Sequence, residues 1–180
     1  MEKPIKKFGN NSGNLPAGRQ GRSRRPFSGR RPLAEKPEFD QKIINVRRVA
    51  RVMAGGRRFS FSVALVAGDK NGRVGVGLGK AGDTSLAMAK AFNQAKKAMI
   101  KVPLTKTKSI PHEVAAKFKA AQVVLRPARG RGLVAGSALR VVLALAGTRD
   151  VNAKVLSRSK NKLNIARATV LALASLKAKR

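Results

Sequence analysis

The stretch GRVGVGLGKAGDTS, Gly72 to Ser85, decides the fold, because it reads either as a nucleotide-binding loop or as a strand. Gly77-Leu-Gly79-Lys-Ala-Gly82 matches the G-x-G-x-x-G pattern of dinucleotide sites and stands between a strand pattern and a helix pattern. That fingerprint also needs an acidic residue about 20 positions later for the ribose hydroxyls. Here the corresponding region is KKAMIKVPLT, which has no carboxylate. A Walker loop fails as well, since position 74 is Val and position 81 is Ala where Gly and Ser or Thr are required. The stretch is therefore a strand. Val74, Val76 and Leu78 take one face, and Gly75, Gly77 and Gly79 take the other. A strand face without side chains lets another backbone approach closely, either a protein helix or an RNA strand.

Upstream, KIINVRRVARVM is rich in branched apolar residues and runs into Ala54-Gly55-Gly56-Arg57, a hairpin turn in which glycines supply positive φ. RFSFSVALVAG follows, with Phe59, Phe61, Val63 and Leu65 at period two, and Asp69-Lys70-Asn71-Gly72 makes a second turn. Downstream, a helix is expected from about Thr84 to Lys101, with Asp83 or Thr84 as N-cap. Its apolar stripe is Met88, Phe92, Ala95 and Met99, and Lys90, Lys97 and Lys101 face outward.

Residues 103–111 have proline at both ends and no periodicity, which predicts a linker. Beyond it, HEVAAKF and QVVLRP read as strands, and a glycine turn introduces a helix from Ser137 to Ala146 that Gly147 ends. A strand at NAKVLS and a helix from about Asn161 to Leu176 complete the pattern, with Leu163, Ala166, Val170 and Leu173 as the buried stripe. The expected class is α+β, with domains at 38–102 and 112–180. Residues 1–37, as in AGRQGRSRRPFSGRRP, show no periodicity and are expected to form a disordered basic arm.

The 180 residues carry 40 Lys plus Arg against 8 Asp plus Glu, a formal charge of +32 at pH 7, so a polyanionic partner is expected. A hydrophobic content of 43% is enough for packed cores and too high for a merely disordered tail. There is no Cys and one His, which excludes disulfides, Cys-based zinc sites and Cys nucleophiles. His112 with Glu113 is the sole imidazole–carboxylate neighbour pair, and neighbours on a strand point to opposite faces. Asp69, Asp83 and Asp150 sit in turn or cap contexts, and no metal-ligand spacing occurs among the acids. No enzyme, cofactor, metal or small-molecule substrate is expected. No apolar run reaches the length of a membrane helix, and MEKPIKKFGN has no secretory hydrophobic segment, so the expectation is a soluble cytoplasmic protein without membrane association.

Cations concentrate at loops and ends, where long side chains reach phosphates without disturbing a core. The RNA-contact candidates are Arg51, Gly55, Gly56, Arg57 and Arg58 at the first turn, and Lys106 and Lys108 in the linker. Arg129 and Arg131, beside Arg126, flank the GRG turn, and Arg158, Lys160 and Lys162 precede the last helix. Arg73 and Lys80 flank the glycine strand, and Gly75, Gly77 and Gly79 join the set if their face meets RNA. The arm adds Arg19, Arg22, Arg24, Arg25, Arg30 and Arg31. Seven phenylalanines are the only aromatics, so recognition by shape and phosphate geometry is favoured over base stacking.

GGRRFSFSVALVAGDKNGRVGVGLGKA, PHEVAAKFKAAQVVLRPA, GRGLVAGSALRVVLALAGTRDVNAK and NKLNIARATVLAL, in this order, resemble the family of the fifth small-subunit ribosomal protein, bacterial type. The resemblance implies a first domain like the double-stranded-RNA-binding fold, βββα. It implies a second, two-layer ββαβα domain with a left-handed crossover. It further implies binding of small-subunit ribosomal RNA where body meets head, near the messenger RNA entry channel, beside the fourth and eighth small-subunit proteins, with influence on decoding accuracy. The tip Arg51 to Arg58 matches the family loop that reaches neck RNA and bears on spectinomycin sensitivity, and Gly132 and Arg140 match the segment facing the fourth protein. Ala54 stands in place of a frequent lysine, Lys119 and Arg158 in place of usual glycines, Arg131 in place of a small residue and Lys162 in place of a proline. An architectural nucleic-acid-binding protein or RNA chaperone outside the ribosome is the rival expectation that composition allows.

Overall fold

A computed structural model describes residues 38–177, which form one compact unit. The first sheet has the order β1-β2-β3-β4, antiparallel throughout: β1 Asp40–Met53, β2 Gly56–Gly68, β3 Arg73–Ala81 and the short β4 Ile100–Lys101. Helix α1, Thr84–Lys97, joins β3 to β4. It stops at Lys97 rather than Lys101, because Ile100 and Lys101 leave the helix to pair with Val74 and Arg73 at the sheet edge.

The alternation of β3 is as expected, and the structure settles what covers its glycine face. It is α1. A Cβ added at Gly77 would lie 2.7 Å from the Ala95 nitrogen and closer still to the Ala91 carbonyl oxygen, and one at Gly79 would lie 2.6 Å from the Ala91 nitrogen. Gly75, Gly77 and Gly79 are therefore removed from the RNA-contact candidates. Backbones this close also correct the helix stripe: the fully buried positions are Ala87, Ala91 and Ala95, one turn apart, while Met88, Phe92 and Met99 flank them half-buried. A surface of glycines accepts only small side chains opposite it. Asp83 occupies the N-cap position, but its side chain makes no capping hydrogen bond.

The second sheet has the order β5-β6-β8-β7. Its strands are β5 Val114–Phe118, β6 Ala121–Pro127, β7 Leu133–Val134 and β8 Val151–Val155. β7 runs parallel to β8 and is connected to it through α2, Ser137–Ala146. Helix α3, Lys162–Ala174, begins at Asn161, whose side-chain oxygen accepts from the Leu163 nitrogen. It packs on β5, β6 and α2 and also reaches β1 and β3. Being covered on several sides, it buries Ile165, Ala166, Ala168, Thr169, Ala172 and Leu173, while the expected Leu163 and Val170 are only half-buried. Gly136 holds the N-cap position of α2, and no side chain bonds there. The β5–β6 turn places Lys119 at φ +53, the left-handed conformation that a glycine adopts without strain.

One apolar core spans both sheets. Val66, Val74 and Val102 from the first part belong to the same buried cluster as Leu125, Leu139, Val142 and Leu173. The join is reinforced by backbone bonds, since Lys70 N and Gly72 N of the β2–β3 turn donate to the carbonyls of Leu145 and Ala146 at the end of α2 (2.9 and 3.0 Å). Those carbonyls have no partner within their own helix, so the turn acts as their cap. Residues 103–111 are packed rather than free: Ser109 and Ile110 are buried, and Ser109 Oγ donates to the Asp150 carbonyl at 2.7 Å.

Candidate nucleic-acid interface

The β1–β2 hairpin carries the first group of cations. Its register pairs Met53 with Gly56, leaving Ala54 and Gly55 as the loop, with φ of +86 at Gly55 and +138 at Gly56. β3 pairs with β2 as far as Phe61, opposite Arg48, so the last five residue steps of the hairpin stand clear of the third strand, about 17 Å at 3.3 Å per residue. Between Asp40 and Asp69 the chain has no carboxylate, while Lys42, Arg47, Arg48, Arg51, Arg57 and Arg58 all lie there.

Register sorts these cations onto two faces. Gly79 pairs with Val63 on the α1 side, so the neighbouring row Arg47–Ser62–Lys80 points to the opposite face, the one on which α2 and α3 pack farther along the strands. The cross-strand pair Arg51–Arg58 lies on that same side, farther toward the tip. Like charges directly opposite one another repel unless an anion lies between them. Arg48 and Arg57 are on the α1 side, where the Arg48 guanidinium stacks 3.9 Å from the centroid of Phe59, a half-exposed ring that holds the arginine in place. Arg47 and Arg48 were missed by sequence reading.

The start of α3 adjoins the face opposite α1 near this row. A groove of about 220 Å³ is lined by Asn45, Arg47, Ser62, Ala64 and Leu78 from the sheet and by Asn161 and Leu163 from the helix. The exposed Arg158, Lys160 and Lys162 belong to the segment entering α3, where Lys160 and Lys162 flank the groove residue Asn161.

A second group surrounds Asp150. Its carboxylate accepts from Gly132 N at 3.2 Å, and its carbonyl accepts from Ala128 N and Ser109 Oγ. Arg149 N donates to the Lys108 carbonyl at 2.9 Å. These bonds bring together the two expected loops, Lys106 with Lys108 and Arg129 with Arg131, and add exposed Arg149, which sequence reading missed. Asp150, mainly through its backbone carbonyl, thus organises the loop backbones and leaves the cations exposed.

Other candidates stand apart. Arg73 lies at the end of the sheet away from the hairpin tip, beside Lys101, with its Nε 3.8 Å from the Asp69 carboxylate. Arg140 is exposed on α2 and shares a surface groove with Lys42 and Lys70, whereas Gly132 is fixed by Asp150. His112 and Glu113 precede β5 rather than lying on it, and Glu113 accepts from Arg126 Nε at 2.7 Å. Arg19, Arg22, Arg24, Arg25, Arg30 and Arg31 lie outside the described residues. Among the described residues, no cluster of three or more His or acidic side chains could hold a metal, and no helix is long and apolar enough to cross a membrane.

Comparison with known proteins gives this arrangement a family. Residues 39–103 match the model described as ribosomal protein S5, N-terminal domain, and residues 116–180 the model described as ribosomal protein S5, C-terminal domain. The chain is 42% identical over 161 residues to small ribosomal subunit protein uS5 of Mesomycoplasma hyopneumoniae, covering 85% of this chain and 74% of that one. It is 50% identical over 140 residues to uS5 of Treponema pallidum, covering 77% and 80%. Against uS5c of Cyanophora paradoxa, the identity is 46% over 144 residues, covering 79% and 85%. With both halves matched in order and the identities well above 30%, the chain belongs to the ribosomal protein S5 family.

Proposed function

We propose that this chain is a structural, non-catalytic constituent of the small ribosomal subunit and that it binds small-subunit ribosomal RNA through phosphate and shape contacts. The observation that carries the reading is the β1–β2 hairpin, which carries six cations and no carboxylate after Asp40, and whose tip holds the cross-strand pair Arg51–Arg58, a repulsion that a phosphate would relieve. The Asp150-centred loops provide a second phosphate-binding group, separate in sequence from the first. The family relationship supports a position at the junction of body and head, near the messenger RNA entry channel. On the same basis Gly132 and Arg140 face the fourth small-subunit protein, the eighth lies nearby, and the hairpin tip affects decoding accuracy. That position is cytoplasmic.

Sedimentation tests this reading. Tagged full-length chain in a lysate of its own cells should travel with small subunits on a sucrose gradient and stay there after a high-salt wash. Travel with free RNA or nucleoid, and absence from the subunit peak, would favour an architectural nucleic-acid protein instead. Arg47→Ala and Lys80→Ala should each reduce the slope of log K against log salt by about 1, since each removes one phosphate contact.

A further inference from the structure

We propose that the groove between the face of the first sheet opposite α1 and the start of α3 receives a single unstacked nucleotide of the RNA. The proposal rests on the reading above and extends it, because phosphate and shape contacts alone leave this groove without a role.

Its lining is that of a base site. Buried Ala64 forms the floor, and Leu78, 38% exposed, and half-buried Leu163 offer apolar walls that a flat ring would cover. Asn45, Ser62 and Asn161 stand around them. The oxygen of the Asn161 amide is already committed to Leu163 N, which leaves its NH2 to donate to a ring nitrogen or carbonyl. Asn45 can donate and accept at once, as recognition of a base edge requires. A few polar groups over an apolar floor characterise sites for small ring systems.

Charge and size select the occupant. Arg47 lines the groove, Lys80 is two strands away in the same row, and Lys160 and Lys162 flank Asn161. No carboxylate occurs on β1 after Asp40, on β2, on β3 or on α3. Phosphates on both sides of an inserted base therefore meet cations. A volume of about 220 Å³ admits one base and no base pair. An added peptide strand is disfavoured because β2, at the floor, is paired on both sides. Single-stranded RNA is read in this way, with the base splayed out and its edge hydrogen-bonded.

The test uses the isotopically labelled full chain, with a single-stranded hexaribonucleotide and a blunt RNA duplex as probes. The single strand should shift the side-chain amides of Asn45 and Asn161 and the methyls of Leu78 and Leu163, and the duplex should leave them in place. Both probes should shift the Nε–H signals of Arg51, Arg57 and Arg58. Asn45→Asp adds a carboxylate without adding bulk, and it should weaken the single strand at least tenfold while the duplex changes less than twofold. Ser62→Phe, which fills the groove, should give the same pattern. Equal response of the groove to duplex and single strand would overturn the proposal, because the groove would then be a phosphate track. A silent groove with responding hairpin arginines would also overturn it and leave the groove to a protein neighbour. Silence of the hairpin arginines with both probes would instead sink the RNA-binding reading on which the proposal depends.

Discussion

Replacing Gly77 by alanine adds one methyl group at the most crowded point of the first sheet. That Cβ would lie 2.7 Å from Ala95 N and 2.9 Å from Ala91 C, where ordinary contact begins near 3.4 Å, and it would be nearer still to the Ala91 carbonyl oxygen. The obstacles are backbone atoms of a helix, so no rotamer change can make room. Helix α1 must retreat by about 0.7 Å or more, and a gap of about 0.5 to 1 Å forfeits a quarter to a half of the dispersion energy of each contact that opens. The Ala87–Ala91–Ala95 seam opens with it. Overpacking costs about 1 to 3 kcal/mol in general, and a backbone-on-backbone clash belongs at the upper end. At about 4 °C per kcal/mol for a unit of this size, the melting temperature should fall by roughly 12 °C. Gly82→Ala is the matched control, because nothing lies within 4 Å of its added Cβ and its φ is not positive, so it should be neutral or stabilise by less than about 1 kcal/mol. Thermal and urea denaturation of the full chain would measure both. The double variant Gly77→Ala/Ala91→Gly supplies the decisive result. Since the collision is with the backbone of residue 91 and not with its methyl group, the double variant should be no more stable than Gly77→Ala. Recovery of stability in the double variant, or equal stability of the Gly77 and Gly82 variants, would refute the packing argument.

Gly147→Ala should destabilise the chain and speed hydrogen exchange at Lys70 and Gly72 specifically, because its Cβ would press on the Lys70 carbonyl carbon at 2.5 Å and separate the β2–β3 turn from α2; uniform protection would count against it. Replacing both Gly55 and Gly56 with Val meets open space but imposes positive φ on branched residues at roughly 1 to 2 kcal/mol each. Strain at that exposed tip should reduce RNA affinity far more than melting temperature, measured by filter binding and calorimetry on one preparation. Lys119→Gly relieves the left-handed strain at φ +53 and should raise stability by up to about 1 kcal/mol in urea denaturation, provided the turn geometry is kept. Deleting residues 1–37, which include the six arm arginines, should flatten the salt dependence of ribosomal RNA binding while leaving the preferred site unchanged, as footprinting would show.

Sequence reading succeeded where local chemistry decides the outcome. The two hairpin turns, the period-two strands and Gly147 at the end of α2 depend on nearest neighbours, and each is found at or near its expected residue. It went astray where a partner distant in the chain decides. Hydrophobicity favours Met88 and Phe92 as the buried stripe of α1, but the glycines across the interface favour Ala87, Ala91 and Ala95. The two-residue strands β4 and β7 are too short to have a period at all. Arg47 was within reach of simple counting. Stepping back from the Ala54-Gly55 loop pairs it with Ser62, and stepping back from the second turn pairs Ser62 with Lys80. Arg149 offered no such signal, because its place beside Lys108 depends on a bond between segments 41 residues apart in the chain.

The hydrogen bonds from Lys70 and Gly72 to the end of α2 have a mechanical meaning. A hairpin projecting about 17 Å is a lever, and the use of a lever depends on how stiffly its base is held. Here β2 leads directly from the tip into the clamped turn, and Val66 and Val74 are embedded in the core shared with the second sheet. The segment at 103–111 is pinned by Ser109 and Ile110, so it provides no swivel. A push on Arg57 or Arg58 is therefore delivered to α2 and its neighbours as a whole-body rotation, and torque applied at α2 returns to the tip by the same route.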